Sequence, residues 1–202
     1  NNDWLMADED GFADGGPGGD LLVGNGHSRL DGGDGTDWML HIGSGELKGG
    51  AGNDWLIGYK PSYGGPGDVL EMRGEDGDDG LITIGGDGAY LYGGDGSDWM
   101  MGFGGGENHL FGKDGSVNGG STSKDGDVDR FFVAGGLSFI HDADGDDHVY
   151  FGPLPIFGGV QQWWMEGGVA AWTPFSGVMA VIPMFAAGTA NLLFNIVAAL
   201  ID

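Results

Sequence analysis

Short apolar runs alternate with glycine-rich polar segments along residues 1–151. The runs DLLV (20–23), DWML (37–40), DWLI (54–57) and DWMM (98–101) each begin with an aspartate that three apolar residues follow. Runs of this length fit short strands, and the glycines between them are typical of tight turns. The pattern therefore predicts many short β-strands that are joined by glycine turns.

The aspartates that open these runs recur at a nearly constant spacing. Asp3, Asp20, Asp37 and Asp54 are each 17 residues apart, Asp79 and Asp98 are 19 apart, and Asp129 and Asp147 are 18 apart. A fixed period of this length is typical of solenoids, in which each coil stacks on the next. The spacing thus predicts one coil for every 17 to 19 residues.

The segments around these aspartates share a nine-residue pattern. They read GGPGGDLLV (15–23), GGDGTDWML (32–40), GGAGNDWLI (49–57), GEDGDDGLI (74–82) and GGDGSDWMM (93–101). They resemble the calcium-binding nonapeptide GGxGxDxUx of RTX, or haemolysin-type, proteins, where U is a large apolar residue. The resemblance covers residues 1–151. It implies a parallel β-roll in which six residues form a turn, three form a strand, and two nonapeptides make one coil.

The half-coils between these close matches depart from the pattern. They read GNGHSRLDG (24–32), IGSGELKGG (42–50), GGDGAYLYG (85–93) and GGGENHLFG (104–112). In this alignment Arg29, Tyr90 and His109 take the sixth position in place of aspartate. We therefore expect one well-formed column of calcium sites and a second, sparse column.

The sixth-position aspartates are the main candidates for metal ligands. Calcium takes six to eight oxygen ligands from carboxylates and backbone carbonyls, and coils about 4.8 Å apart bring both within reach. The expected calcium ligands are Asp20, Asp37, Asp54, Asp79 and Asp98, with Asp34, Asp76 and Asp95 at the third turn position as further candidates. The alternative is that these residues only solubilise the turns, where Asp-Gly pairs are common.

The composition favours cations as partners and excludes other classes of function. The chain has 31 acidic and 7 basic residues, which gives a formal net charge of −24. Nucleic acids and anionic membranes need a basic surface, so neither is an expected partner. Cysteine is absent, the histidines show no paired metal spacing, and no nucleophile elbow or phosphate loop is present. We expect no enzymatic activity.

Two segments interrupt or end the predicted roll. Residues 58–73 contain two prolines and no full repeat, which predicts an irregular insertion. Residues 152–202 form an apolar C-terminal segment, in which large apolar residues from Thr189 onward recur at helical spacing. This segment would fold back on the roll or be buried between subunits. A membrane span over residues 177–201 is disfavoured by its proline, glycine and asparagines and by the lack of a basic flank.

Tryptophan directly follows the candidate ligand in several turns. Because side chains alternate along a strand, the seventh position should point outward and the eighth inward. Trp38 and Trp55 should therefore stack on adjacent coils as part of an outer apolar stripe. The expected inner ladder consists of Leu5, Leu22, Met39, Leu56 and Met100.

These features favour a secreted structural protein whose calcium-loaded roll self-assembles into an extracellular filament, sheath or surface layer. The RTX resemblance implies type I secretion with an uncleaved C-terminal signal. A second hypothesis is the C-terminal repeat portion of a larger secreted enzyme or toxin, because NNDWLM at the start aligns with GNDWLI (52–57), in the middle of a nonapeptide. A third is an adhesin whose exposed tryptophans bind carbohydrate.

Overall fold

The chain folds as an all-β solenoid. The computed structural model describes residues 1–61, 68–85, 88–103, 107–113, 127–134, 137–141, 147–151, 161–165, 168–172 and 179–183. Within these ranges the chain forms strands and turns but no helix. The absence of a helix in this part agrees with the short apolar runs and the abundant glycine.

The strands are short and regularly spaced. They are β1 (Trp4–Ala7), β2 (Phe12–Pro17), β3 (Leu21–Gly26), β4 (Arg29–Asp34), β5 (Trp38–Gly43), β6 (Gly45–Ala51), β7 (Trp55–Tyr59), β8 (Leu70–Asp76), β9 (Gly80–Ile84), β10 (Ala89–Asp95), β11 (Trp99–Phe103), β12 (Glu107–Phe111), β13 (Arg130–Ala134), β14 (Leu137–Ile140), β15 (His148–Phe151), β16 (Gln161–Met165), β17 (Gly168–Trp172) and β18 (Met179–Pro183).

Successive strands alternate between two sheets. Sheet A has the order β1-β3-β5-β7-β9-β11-β13-β15, and sheet B has the order β18-β17-β16-β14-β12-β10-β8-β6-β4-β2. Neighbouring strands are parallel, except that β16, β17 and β18 pair antiparallel among the described strands. The architecture is a parallel β-solenoid, which is consistent with the β-roll that the resemblance implies.

The core is a double ladder of apolar side chains between the sheets. Because parallel strands pair in register, equivalent residues of successive coils stack on one another. Sheet A contributes Leu22, Met39, Leu56, Leu81, Met100 and Phe131, and sheet B contributes Leu30, Leu47, Met72, Leu91, Leu110 and Ile140. All are buried, and Leu5 packs against them from the first strand. The predicted inner ladder is confirmed.

The outer stripe is also confirmed. Trp38 is 51% exposed while the adjacent Met39 is 1% exposed, so the two side chains lie on opposite faces of sheet A. The rings of Trp38 and Trp55 are stacked, with centroids 5.7 Å apart and planes 18° from parallel. Trp4 lies two coils before Trp38 in the same row, with Leu21 between them.

The irregular insertion is shorter than the sequence predicts. Strand β7 continues to Tyr59 and β8 begins at Leu70, so the connection comprises residues 60–69 instead of 58–73. The apolar run VLEM within the predicted insertion belongs to sheet B, where Leu70 and Met72 are buried. Proline and glycine on its N-terminal side hid this strand.

The C-terminal segment is only partly described. Strands β16, β17 and β18 extend sheet B beyond β14. The helix predicted from Thr189 onward lies outside the described residues. In the portion of the chain that the structure describes, there is no helix long and apolar enough to cross a membrane.

Candidate metal centre

One buried column of aspartates runs along the edge of the roll where each turn leads into sheet A. Each aspartate of this column is at most 3% exposed and directly precedes the first residue of a strand of sheet A. The column consists of Asp20, Asp37, Asp54, Asp79 and Asp98. The structure thus brings five of the eight predicted ligands into one line. The same column continues through Asp129 and Asp147, which the sequence period marks but which we did not predict as ligands.

Hydrogen bonds link this column from coil to coil. The backbone N–H of Asp20 donates to Oδ1 of Asp37 at 2.6 Å, and the N–H of Asp37 donates to Oδ1 of Asp54 at 2.8 Å. The N–H of Asp54 donates in turn to Oδ1 of Asp79 at 2.7 Å. The pattern repeats to Asp98, Asp129 and Asp147. Each carboxylate therefore satisfies a buried backbone donor of the preceding coil with one of its two oxygens.

The second carboxylate oxygen has no such role at four positions. Oδ2 of Asp20, Asp37, Asp54 and Asp79 is buried and has no hydrogen-bond partner. A buried charged oxygen without a partner is costly, so its presence on successive coils needs an explanation.

A backbone carbonyl approaches the same glycine as each of these oxygens. A Cβ placed on Gly49 would lie 2.5 Å from Oδ2 of Asp54 and 2.6 Å from the carbonyl oxygen of Gly74 on the next coil. A Cβ on Gly32 would lie 2.5 Å from both Oδ2 of Asp37 and the carbonyl oxygen of Gly49. Only glycine therefore permits the close approach, and the two converging atoms are both hard oxygen donors. This donor set fits calcium.

Alanine in place of Gly49 should destabilise the roll by about 1–3 kcal/mol, because the added methyl group overlaps the backbone carbonyl oxygen of Gly74 and the carboxylate oxygen of the buried Asp54. Gly102→Ala is the matched control: this glycine is also buried, but its nearest neighbour would be the flexible Asn108 side chain at 3.3 Å. Urea unfolding in calcium-containing buffer measures both. An equal decrease in the free energy of unfolding of the two variants would show that the close approach at Gly49 does not require glycine.

Burial sets the electrostatics of the column. Desolvation raises the pKa of Asp37, raises that of Asp54 to about 6, and raises that of Asp79 to about 8. For Asp79 the negative charges of Asp98 and Asp54 add to this effect. These three carboxyls therefore bind protons more readily than an exposed aspartate does.

The third-position aspartates lie elsewhere in the turn. Asp34, Asp76 and Asp95 end strands of sheet B, and their side chains are exposed. Their backbone carbonyls accept hydrogen bonds at 2.7 Å from the N–H groups of turn glycines in the preceding coil. The carboxylate of Asp95 lies 3.2 Å from the Lys113 ammonium. The structure does not bring these three carboxylates into the buried column.

The alignment of three of the degenerate half-coils is wrong by one residue, and that of residues 42–50 is wrong by two. Arg29, Tyr90 and His109 occupy an outward row of sheet B and not the inward sixth position. The inward row that precedes it consists of Ser28, Gly45, Leu70, Ala89, Asn108 and Ser138. Without aspartate to fix the frame, the abundant glycines allow either register. Among the described residues, this second edge has no carboxylate at the inward position.

Histidines form a separate polar cluster on sheet B that the sequence did not indicate. Nδ1 of His109 lies 2.9 Å from Nε2 of His141, and Glu107 lies 3.2 Å from the other nitrogen of His109. Burial lowers the pKa of both rings, that of His141 to about 4. The two residues are 32 apart in sequence, and an aperiodic segment between the coils hides their proximity.

Clusters of three or more histidine, aspartate or glutamate side chains with a geometry suited to a metal ion are absent from the described residues. Any cation in the aspartate column would therefore combine its carboxylates with backbone carbonyls. No family model, curated protein or solved structure matches the chain. The structure itself establishes the fold, a parallel β-solenoid consistent with an RTX β-roll.

Proposed function

We propose that this chain is a secreted calcium-binding structural protein of the RTX type. Its β-roll binds a single row of calcium ions along the aspartate column and self-assembles into an extracellular filament, sheath or surface layer. The observation that carries the proposal is the buried carboxylate column, in which Oδ2 of Asp20, Asp37, Asp54 and Asp79 has no hydrogen-bond partner.

Electrostatics favours a divalent cation in this column. Successive carboxylates follow the coil spacing of about 4.8 Å, at which two unit charges repel by roughly 3 kcal/mol at a partly screened site. A row of such charges needs positive charge between the coils, and the net charge of −24 leaves the chain with few cationic side chains to supply it. Calcium fits better than magnesium, since it accepts many carbonyl and carboxylate oxygens in flexible geometry.

Calcium binding would then make folding depend on the calcium concentration of the compartment that contains the chain. In a calcium-poor compartment the repelling carboxylates and the entropy of the many glycines oppose the roll. Outside the cell, binding free energy becomes folding free energy, as in other metal-dependent domains. This coupling suits a protein that is exported unfolded and folds on arrival, as the RTX resemblance implies.

A carbohydrate-binding adhesin is the second candidate. A shallow cleft on sheet A is lined by Asn2, Asp3, Trp4, Leu21 and Trp38. Its two indole rings and flanking polar atoms suit the stacking of a sugar ring. Carbohydrate binding in this cleft would either accompany the structural role or be the main function of the protein. The third candidate is the repeat portion of a larger secreted enzyme or toxin, and the sequence of the full reading frame tests it.

Calcium titration tests the proposal. We expect the calcium-free chain at neutral pH to gain β-structure in circular dichroism on addition of millimolar calcium, and to lose it on addition of chelator. Magnesium at the same concentration is the control and should have little effect. Electron microscopy of the calcium-loaded protein should show ordered polymers. Unchanged spectra with both cations would refute calcium-dependent folding, and dispersed monomers would favour the adhesin.

A further inference from the structure

The strands of sheet A carry no charged residue on their outer face from β1 to β11. A carboxylate borders this face at its rim, where Asp8 accepts a hydrogen bond from Asn25 at 2.9 Å. The outward residues of these strands are apolar or aromatic, apart from a glycine and an asparagine. Trp4 is 74% exposed, Met6 66% and Ile42 47%, and Leu40 and Tyr59 are also exposed. In a chain with a net charge of −24, a contiguous uncharged face of this size marks an interaction surface.

Sheet B shows the opposite character over the same coils. Arg29 pairs with Glu46 at 2.8 Å, Lys48 lies 3.5 Å from the same glutamate, and Glu71 pairs with Arg73. Charged side chains thus cover one outer face of the roll, while the other is apolar. Both faces belong to the same coils, so the difference in charge between them comes from the choice of outward residues in each sheet.

The described parts of the insertion and of the C-terminal segment lie away from this apolar face. Asp68 lies 3.4 Å from His27 in the turn between β3 and β4, and Val69 accepts a hydrogen bond from Gly45 at the start of β6. Both contacts are at the edge of the roll where sheet A leads into sheet B. Strands β16 to β18 extend sheet B instead of crossing sheet A.

We propose that the outer face of sheet A is a two-fold pairing surface for a second copy of this chain. A partner for an uncharged flat face must itself be uncharged and flat, since a charged partner would lose its hydration without compensation. The same face of a second copy meets this requirement, and two flat sheet faces pack with their side chains interdigitated about 10 Å apart. Stacked indoles such as Trp38 and Trp55 supply large apolar area of the kind that dominates interfaces.

The area of the face suits a stable pair. Six strands about 4.8 Å apart, each with up to three outward residues about 7 Å apart, give roughly 600 Å² per copy when side chains at the rim are included. Two copies would bury about 1,200 Å², which reaches the range of specific protein interfaces. A two-fold contact also places the charged outer faces of both B sheets on the far sides of the pair.

This inference rests on the proposed function, because the roll must be formed for the face to exist, and it specifies how copies meet. A two-fold contact closes on itself and therefore gives pairs. Growth of a filament then requires a different contact, so the pair would be the unit that polymerises.

Sedimentation of the calcium-loaded protein tests the pairing with matched variants. Leu40→Lys places a charge in the middle of the face, and Phe12→Lys makes the same change at an exposed apolar residue of sheet B. Wild type and Phe12→Lys should sediment as dimers or as multiples of them. Leu40→Lys should raise the dissociation constant at least a hundredfold and sediment as a monomer.

A mixing experiment identifies which surfaces meet. Leu40→Glu alone should also be monomeric, but an equimolar mixture with Leu40→Lys should form heterodimers, because in a two-fold contact the same face stands on both sides. If the apolar face instead contacts a different surface of the second copy, both variants stay monomeric in the mixture, and two-fold pairing is wrong. A monomeric wild type would also overturn it; co-sedimentation of that monomer with neutral phosphatidylcholine vesicles would identify lipid as the partner.

Circular dichroism and calorimetric calcium titration of the same samples separate this inference from the proposed function. A monomeric wild type that binds calcium and gains β-structure contradicts the pairing surface and leaves calcium-dependent folding intact. A chain that forms β-structure and dimers without binding calcium contradicts the proposed function and leaves the pairing surface intact. A chain that gains no β-structure under either condition overturns both.

Discussion

Replacing Asp54 by asparagine should raise the calcium concentration at the folding midpoint at least about tenfold, equivalent to about 1.4 kcal/mol, while it stabilises the calcium-free roll. Asparagine retains an Oδ1 that accepts the hydrogen bond from the N–H of Asp37, so the link between the coils survives. The variant loses only the negative charge on Oδ2, which is buried and has no hydrogen-bond partner. Calcium affinity falls with the number of charged ligands.

The gain in the calcium-free state follows from the electrostatics of the column. Burial raises the pKa of Asp54 to about 6 from an ordinary value of 3.8. Ionisation of this carboxyl in the folded chain at neutral pH therefore costs up to about 3 kcal/mol. Asparagine avoids that cost, so the two effects of one substitution have opposite signs. A substitution that only damaged the structure would lower the stability of both the calcium-free and the calcium-loaded roll.

Calcium titration followed by circular dichroism, and urea unfolding in chelator, measure the two effects. Asp34→Asn is the matched control, because this aspartate belongs to the same kind of turn but its side chain is exposed and lies outside the buried column. Asp54→Ala, which also removes the hydrogen-bond acceptor, should weaken both states. If Asp34→Asn shifts the calcium midpoint as much as Asp54→Asn, the buried column is not the binding site.

The sequence predicts the sheet A half of each coil well. In that half an aspartate fixes the frame, glycine marks the turn, and alternation along a three-residue strand assigns Trp38 outward and Met39 inward. These signals are local, and parallel pairing then repeats them along the roll. The buried aspartate column, its spacing and the stacked tryptophans all follow from them.

The sheet B half could not be predicted to the same accuracy. Its turns lack an aspartate that would fix the frame, so the alignment places Arg29 at the sixth position, whereas burial assigns that position to Ser28. The hydrogen-bond role of Asp129 and the proximity of His109 and His141 depend on pairing across segments of irregular length. Such contacts depend on which strands meet, which a local pattern does not specify.

The two halves of the coil thus suggest a division of roles. In the proposed function, the glycine turns at one edge hold carboxylates that oppose folding until a cation binds, whereas the apolar ladder between the sheets favours folding with or without a cation. The second edge has serine, asparagine or apolar residues at the inward position and carries no comparable electrostatic cost among the described coils. The proposed function therefore assigns the control of folding to one edge of the roll.

Lowering the pH from 8 to 6 should stabilise the calcium-free roll through the carboxyls of Asp79 and Asp54, whose combined contribution is roughly 2–3 kcal/mol, since these groups bind about one extra proton on folding. Burial, with the charges of Asp98 and Asp54, raises the pKa of Asp79 to about 8, whereas the unfolded chain has an ordinary value near 3.8. A raised pKa in the folded state means that the stabilisation is complete below the unfolded value and is lost as the pH rises through the folded value. For Asp79 that loss falls around pH 8, and for Asp54 around pH 6.

Three histidines oppose this stabilisation as the pH falls. Burial lowers the pKa of His41, His109 and His141, so their contribution is present above the unfolded value of about 6.5 and is lost as the pH falls through the folded values. For His141 the folded value is about 4. The calcium-free stability should therefore rise from pH 8 to about 6.5 and then level off or decline in more acidic buffer.

Urea midpoints in calcium-free buffer over this pH range provide the measurement. Asp79→Asn should flatten the rise between pH 8 and 6, while Asp76→Asn, an exposed aspartate of the same turn, should leave it unchanged. Saturating calcium should abolish the Asp79 part of this slope, because the bound cation keeps the carboxylates ionised in the folded chain, as they are in the unfolded chain at these pH values. A slope that is the same with and without calcium would mean that protons and calcium act at different sites, and the aspartate column would lose its assignment as the calcium centre.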